Sequence, residues 1–287
     1  MNAAITPRWD CHAHVFGPYD RYPLAAERSY TPPPAVQADY LAMLSRLGMT
    51  HGVLVHPSAY GDDHSLLLDT LAACPNLRGV VVVQTATQLP LRQLRDQGVR
   101  AARFSCRSGA GKNFAGSASW EDLCQLAPAL ADAGLHAELW TDGQMLPQIA
   151  AQLKTLPVPV VIDHMARVDA TQGLQGHAFQ SLCHLLDDAR FHVKVSGIDR
   201  VNEKLPLDTP PYPRGIELAA YLVRTFPSQC LWGTDWPHPN HTHIPDDGVL
   251  VQAIADIAPT PMLLQQLLVD NPQNLYRFDT STTFHTT

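Results

Sequence analysis

Eight short runs of β-branched and apolar residues recur along the chain, each followed by a longer segment with helical spacing of its apolar positions. The runs are 9–15 (WDCHAHV), 52–56 (GVLVH), 79–84 (GVVVVQ), 100–105 (RAARFS), 136–141 (HAELWT), 158–163 (VPVVID), 192–196 (HVKVS) and 230–235 (CLWGTD). Helices are expected over 36–47, 63–74, 120–133, 145–153, 177–189, 216–226 and 248–257, with the third crossover confined to 90–97. Glycine or proline stands where several of these helices should stop, as in Leu47-Gly48, Ala133-Gly134 and Leu156-Pro157. Strands that alternate with helices demand parallel pairing, and eight such units match a single α/β domain, a (β/α)8 TIM barrel over residues 1–279. The shortness of the third crossover keeps a doubly wound open sheet as the alternative. Residues 280–287 are expected to be a disordered tail.

A chain of 287 residues with 45% apolar content can bury a core of that size. Its net charge of −7 is spread without long like-charge blocks, so no basic footprint for nucleic acid or for an anionic membrane is visible. No apolar run is long enough to span a bilayer, and the opening MNAAITPRWD lacks the plan of a signal peptide, so the expected location is the cytoplasm. Six cysteines stand singly, which suits reduced thiols in a core. Cys11 adjoins His12, but strict alternation along a strand would put the two on opposite faces.

Active sites of such barrels lie at the carboxyl ends of the strands. Here those ends carry His12 and His14, His56, Gln84, Arg103 and Ser105, Glu138 and Trp140, Asp163 and His164, Lys194 and Ser196, and Asp235. Positions i and i+2 share a strand face, so His12 and His14 should point together into the mouth. An H-x-H pair alone means little in a chain with 14 histidines; its meaning comes from His164 and Asp235 at two other strand tips. Three imidazoles and a carboxylate support two chemistries. They can ligate one divalent cation such as Zn2+ through His12, His14, His164 and Asp235. Without a metal, Asp235 can act as general base on water while the imidazoles polarise a carbonyl. The fifth and seventh strands end without histidine, and Lys194 is the lysine nearest the tips, so a binuclear centre lacks ligands.

The segments DCHAHVFGP, ERSYTPPPA, VVIDHMARVD, WGTDWPHPN, IPDDG, IAPTP and NPQNLYRF together resemble the 2-pyrone-4,6-dicarboxylate hydrolase and lactonase branch of the amidohydrolase superfamily, from Asp10 to about Phe278. The resemblance implies a (β/α)8 barrel and hydrolytic opening of a small anionic lactone or pyrone, with no cofactor. It implies that Asp235 is the general base, with His12, His14 and His164 on the carbonyl. It further implies substrate contacts from Arg103, Arg167, Arg200, Tyr30, Ser58 and His238, arginine being suited to planar carboxylates. Two positions depart from the branch. Its additional arginine falls where this chain reads CRSGAGKNF, leaving Arg107 or Lys112 to serve, and a tyrosine position on the fifth strand is Trp140. These departures favour a related carboxylated lactone over the pyrone dicarboxylate itself. A metal-dependent hydrolase or decarboxylase on the same barrel is the alternative; the oligomeric state has no sequence signal.

Overall fold

A computed structural model of the chain describes residues 6–87, 89–109, 113–201, 210–241 and 243–277; Lys112 and the stretch 280–287 lie outside them. Eight strands form one sheet in sequence order: β1 (Trp9–Ala13), β2 (His51–Val55), β3 (Leu77–Val82), β4 (Val99–Cys106), β5 (His136–Thr141), β6 (Val160–Ile162), β7 (Phe191–Lys194) and β8 (Cys230–Leu231). Every neighbouring pair is parallel. The last edge meets the first through the residues that follow β8. The Cys11 amide donates to Trp232 O (2.8 Å), the Asp235 amide to His12 O (2.8 Å) and the His14 amide to Trp236 O (2.7 Å). These bonds make the sheet a barrel, and the doubly wound alternative falls.

Crossovers α1 (Gln37–Arg46), α2 (Ser65–Ala73), α3 (Leu91–Asp96), α4 (Trp120–Ala133), α5 (Leu146–Leu153), α6 (His177–Leu186) and α7 (Pro213–Thr225) connect successive strands. The cramped third unit is filled by α3, a helix of six residues. In α4 the chain writes its own ends: Ser119 and Asp122 form a reciprocal capping box, and Gly134 closes the helix at φ 72°. After β8 come α8 (Asp247–Gln252), α9 (Ile254–Ile257), α10 (Pro261–Gln265), a π-helical turn (Gln266–Asp270) and α11 (Asn271–Tyr276). The helices from Pro261 onward were not expected from periodicity. They matter, because Tyr276 is fully buried among Trp9, Val53, Ala101 and Leu231 and plugs the barrel floor.

The expected opposition of Cys11 and His12 fails. Between Asp10 and Ala13, β1 advances three residues while β2 advances from Gly52 to Leu54, a bulge that breaks the alternation. Cys11 joins the interior apolar cluster with Val53 and Val55, and His12 also faces inward, 3.1 Å from Lys194 Nζ. Burial pushes the Cys11 thiol well up, so it is a core residue and no nucleophile.

Asp10, fully buried, ties the closing edge together. Oδ1 accepts from the Thr234 amide (2.8 Å) and the His12 amide (3.3 Å), Oδ2 from Thr234 Oγ1 (2.8 Å) and Tyr40 Oη (3.3 Å). Gly233 lies so close beneath that a Cβ there would be 2.7 Å from the His12 nitrogen. All four partners donate to Asp10, so in Asp10→Asn an amide N–H on the Oδ2 side takes the place of the acceptor for the Thr234 and Tyr40 hydroxyl protons and leaves them unpaired. We expect a loss of about 2 kcal/mol, read as a lower urea midpoint at unchanged slope; an unaltered midpoint would refute this account of barrel closure.

Candidate active site

Above the apolar floor the barrel holds a layer of charge. Lys194, with no exposed surface, donates to Glu138 Oε2 (2.5 Å) and has Asp163 Oδ1 (3.3 Å) and His12 Nδ1 (3.1 Å) within reach. Asp163 Oδ2 accepts from Arg103 Nε (2.8 Å), and Glu138 Oε1 from Tyr276 Oη (2.8 Å). Strand alternation aims Arg103, Glu138, Asp163 and Lys194 at the axis from four successive strands or their tips. Burial by itself would raise the Glu138 carboxyl, but the Lys194 ammonium and a contact with His136 together outweigh it and hold the carboxyl at about 2. The same contest, with Arg103 added to Lys194, puts Asp163 well below the usual carboxylate range.

At the mouth, Asp235 Oδ1 lies 3.3 Å from His14 Nε2 and 3.5 Å from His12 Nε2. His164 completes the group, its ring centroid 4.5 Å from that of His12. The rings are held from behind: His14 Nδ1 meets the Val55 carbonyl at 2.7 Å and His164 Nδ1 meets Ser196 Oγ at 2.8 Å. A carbonyl only accepts, so His14 carries a proton on Nδ1. Lys194 Nζ can only donate, which makes His12 Nδ1 an acceptor and leaves the proton of a neutral His12 on Nε2, the nitrogen 3.5 Å from Asp235 Oδ1. Burial, then Lys194, lowers His12 to about 4, and burial puts His164 well below its ordinary value, so both rings are neutral at pH 7.

Backbone strain collects here. His164, Met165, Ala166 and Arg167 all have φ near +50°, and Asp235 has φ +66°, a region L-residues other than Asn and Asp seldom enter. The tight left-handed turn after β6 brings His164 and Arg167 to the same mouth. Such conformations persist only where surrounding contacts enforce them, and they cluster at functional sites.

The cavity above this group has a volume of about 740 Å³ including its open mouth. Tyr30, Ser58, Arg103, Arg167 and Arg200 line it with His14, His164 and Asp235. Arg200 Nη1 is 2.5 Å from Asp235 Oδ2; burial opposes the charge on Asp235, but Arg200 followed by His164 outweighs it and holds the carboxyl well below its ordinary range. His12 lies beneath, fully buried. His238 is turned elsewhere: its Nε2 is 2.9 Å from Asp247 Oδ1, and it does not line the cavity. Sequence reasoning missed His241, which lines the cavity 2.6 Å from Arg200 Nη1 and is lowered to about 4 by burial and Arg200. Its signal was present in WPHPNH, where His238 was chosen instead. Trp140 also lines the cavity, with the Arg103 guanidinium 5.2 Å and the Arg107 guanidinium 4.2 Å from its ring centroid.

The donor set also suits a cation in its spacing. His12, His14 and Asp235, and separately His12, Asp163 and His164, bring ligand atoms within 4.8 Å of one another. The 3.3 and 3.5 Å separations from Asp235 Oδ1 match the edge of about 3.4 Å that a tetrahedral centre with 2.1 Å bonds requires. His12 Nε2 is buried and makes no hydrogen bond among the described residues.

A carboxyl held low stabilises the fold above its ordinary value, and that contribution disappears as pH falls toward the folded value. For Glu138 the window runs from 4.5 down to about 2. We expect stability to drop across this window in pH-dependent urea unfolding, and Glu138→Gln to flatten that limb while lowering stability at pH 7. An unchanged limb in the variant would show that Glu138 is not the group titrating there.

Comparison with known proteins places this geometry. The amidohydrolase family model matches residues 9–278. The chain is 36% identical over 278 residues to a 2-pyrone-4,6-dicarboxylate hydrolase of Comamonas testosteroni, covering 93% of this chain and 89% of the relative. It is 32% identical over 274 residues to a 4-sulfomuconolactone hydrolase of Hydrogenophaga intermedia, covering 93% and 88%. A probable 2-pyrone-4,6-dicarboxylic acid hydrolase from Acinetobacter baumannii, solved with citric acid bound, superposes with a TM-score of 0.78 at 26% identity over 94% of this chain and 99% of that one. With its strand-tip histidines and aspartate gathered at one barrel mouth, the chain belongs to the amidohydrolase family.

Proposed function

We propose that the protein hydrolyses a small anionic lactone or pyrone, of the kind acted on by its pyrone-dicarboxylate and sulfomuconolactone hydrolase relatives, by attack of water on the ring carbonyl. The observation that carries the reading is the meeting of Asp235 with His12 and His14 beneath a cavity rimmed by arginines. Asp235 is the general base. His12, through an Nε2–H set by Lys194, and His164 face the developing oxyanion, where hydrogen bonds act in a site shielded from water. Arg103, Arg167 and Arg200, with Tyr30 and Ser58, hold the acidic groups of the substrate. Arg200 has a double duty in this reading. In the resting site it suppresses the basicity of Asp235, and a substrate carboxylate that draws it away leaves Asp235 the stronger base. His238 is set aside from the substrate contacts by its bond to Asp247.

The ligand spacing favours one second reading, a mononuclear site held by His12, His14 and Asp235 with His164 adjacent. A divalent cation there would acidify water and polarise the carbonyl. Against it stands the proton that Lys194 leaves on His12 Nε2, which a ligand must shed.

On a lactone that the wild-type protein hydrolyses, Asp235→Asn should lower kcat by about 10²- to 10⁴-fold, and near wild-type turnover would sink the assignment. Metal analysis followed by assay after chelation separates the two readings: activity retained in metal-stripped protein supports the base mechanism, while loss restored by Zn2+ supports the other.

A further inference from the structure

A second cavity, of about 920 Å³ including its opening, adjoins the first on the same face of the barrel. Arg167 lines both, so they meet at its side chain. Arg107 lines the second only, lying over the Trp140 ring that helps to wall the first. Two other arginines at this end have carboxylate partners: Arg103 has Asp163, and Arg200 has Asp199 and Asp235. Arg107 forms no hydrogen bond or ion pair among the described residues, and its Nε is buried without a partner. Asp142, the acid beside it, is already engaged by the Ser108 amide (2.7 Å) and hydroxyl (2.9 Å) and by the amides of Gln144 (3.0 Å) and Met145 (3.1 Å). A half-buried guanidinium stacked on an indole, with its planar fork unused, is suited to bidentate capture of an oxyanion.

We infer that this cavity is an anion subsite, in which Arg107 takes a carboxylate, sulfonate or similar group carried on a short arm of the substrate whose ring occupies the first cavity. The identity of the ring rests on the lactone reading; the subsite does not. It makes the preferred substrate longer than a ring with acids attached directly to it, and it gives Trp140 the task of holding the Arg107 fork.

Calorimetric binding of benzoate and of 3-(carboxymethyl)benzoate tests this, since neither contains an ester to hydrolyse. The wild-type protein should bind the diacid at least tenfold more tightly than benzoate. Arg107→Ala should weaken diacid binding by about tenfold or more, the range for charge-assisted hydrogen bonds, and leave benzoate within twofold. Ala178→Phe, which fills the second cavity from α6 and leaves Arg107 in the sequence, should do the same. Equal binding of the two acids by wild type, or full diacid affinity in either variant, would overturn the inference. A protein that prefers the diacid yet opens no lactone refutes the proposed function and leaves the subsite standing; one that opens lactones with no preference for the second acid does the reverse.

Discussion

The joint between the first strand and the residues after the eighth is the constraint on which this molecule depends. Asp235 is bonded through its own amide to the His12 carbonyl, and the neighbouring Thr234 is bonded through amide and hydroxyl to Asp10. The contacts that close the barrel are therefore the ones that set the base beside the histidines. Asp10 lies two residues from His12 in sequence and 224 from Thr234, so a single buried carboxylate joins the two ends of the sheet. Its environment is unfavourable for charge, and burial raises its carboxyl to about 6. Donors on both oxygens offset that cost, and they define where the strand ends meet.

One layer below, Lys194 plays a similar part for the chemistry. A buried ammonium is expensive unless its protons are all received. Here Glu138 and His12 receive two of them and Asp163 adds an ion pair at 3.3 Å, and the arrangement reaches the mouth through the tautomer it selects on His12. Replacing the lysine would therefore act in two places, leaving Glu138 without its ammonium and Asp163 with Arg103 alone, and freeing a ring nitrogen at the site. The floor contributes as well, since Tyr276 from the last helix donates to the far oxygen of Glu138.

Legibility in the sequence follows the range of the interaction. The eight strands were visible because each is a short apolar run bounded by turn residues, although the regular ladders stop earlier than the runs: β8 is only Cys230–Leu231 where the run continued to Asp235. That shortening is informative, for the backbone beyond Leu231 leaves its ladder with β7 to bond β1. His12, His14, His164 and Asp235 were legible because strand tips define the mouth. The bulge at Cys11 was not, because it depends on the partner strand's register. The plug by Tyr276, the coupling of Arg200 to Asp235 and the place of His241 were likewise hidden, since each joins segments 35 or more residues apart. His238 and His241 show the limit plainly: three residues apart in one loop, they diverge because left-handed φ at His238 and Asn240 turns the backbone between them.

By itself the sequence determined the alternation of strands and helices, the parallel sheet that follows from it, and the kinds of side chain delivered to the strand tips, because periodicity and turn chemistry act over a few residues. Only the tertiary structure decided that the sheet closes, which ring nitrogens of His12 and His14 face Asp235, which arginine restrains Asp235 and which is left without an acid. Those outcomes depend on distances between groups remote in the chain, and such distances exist only once burial has made an unpaired charge or donor too costly to leave.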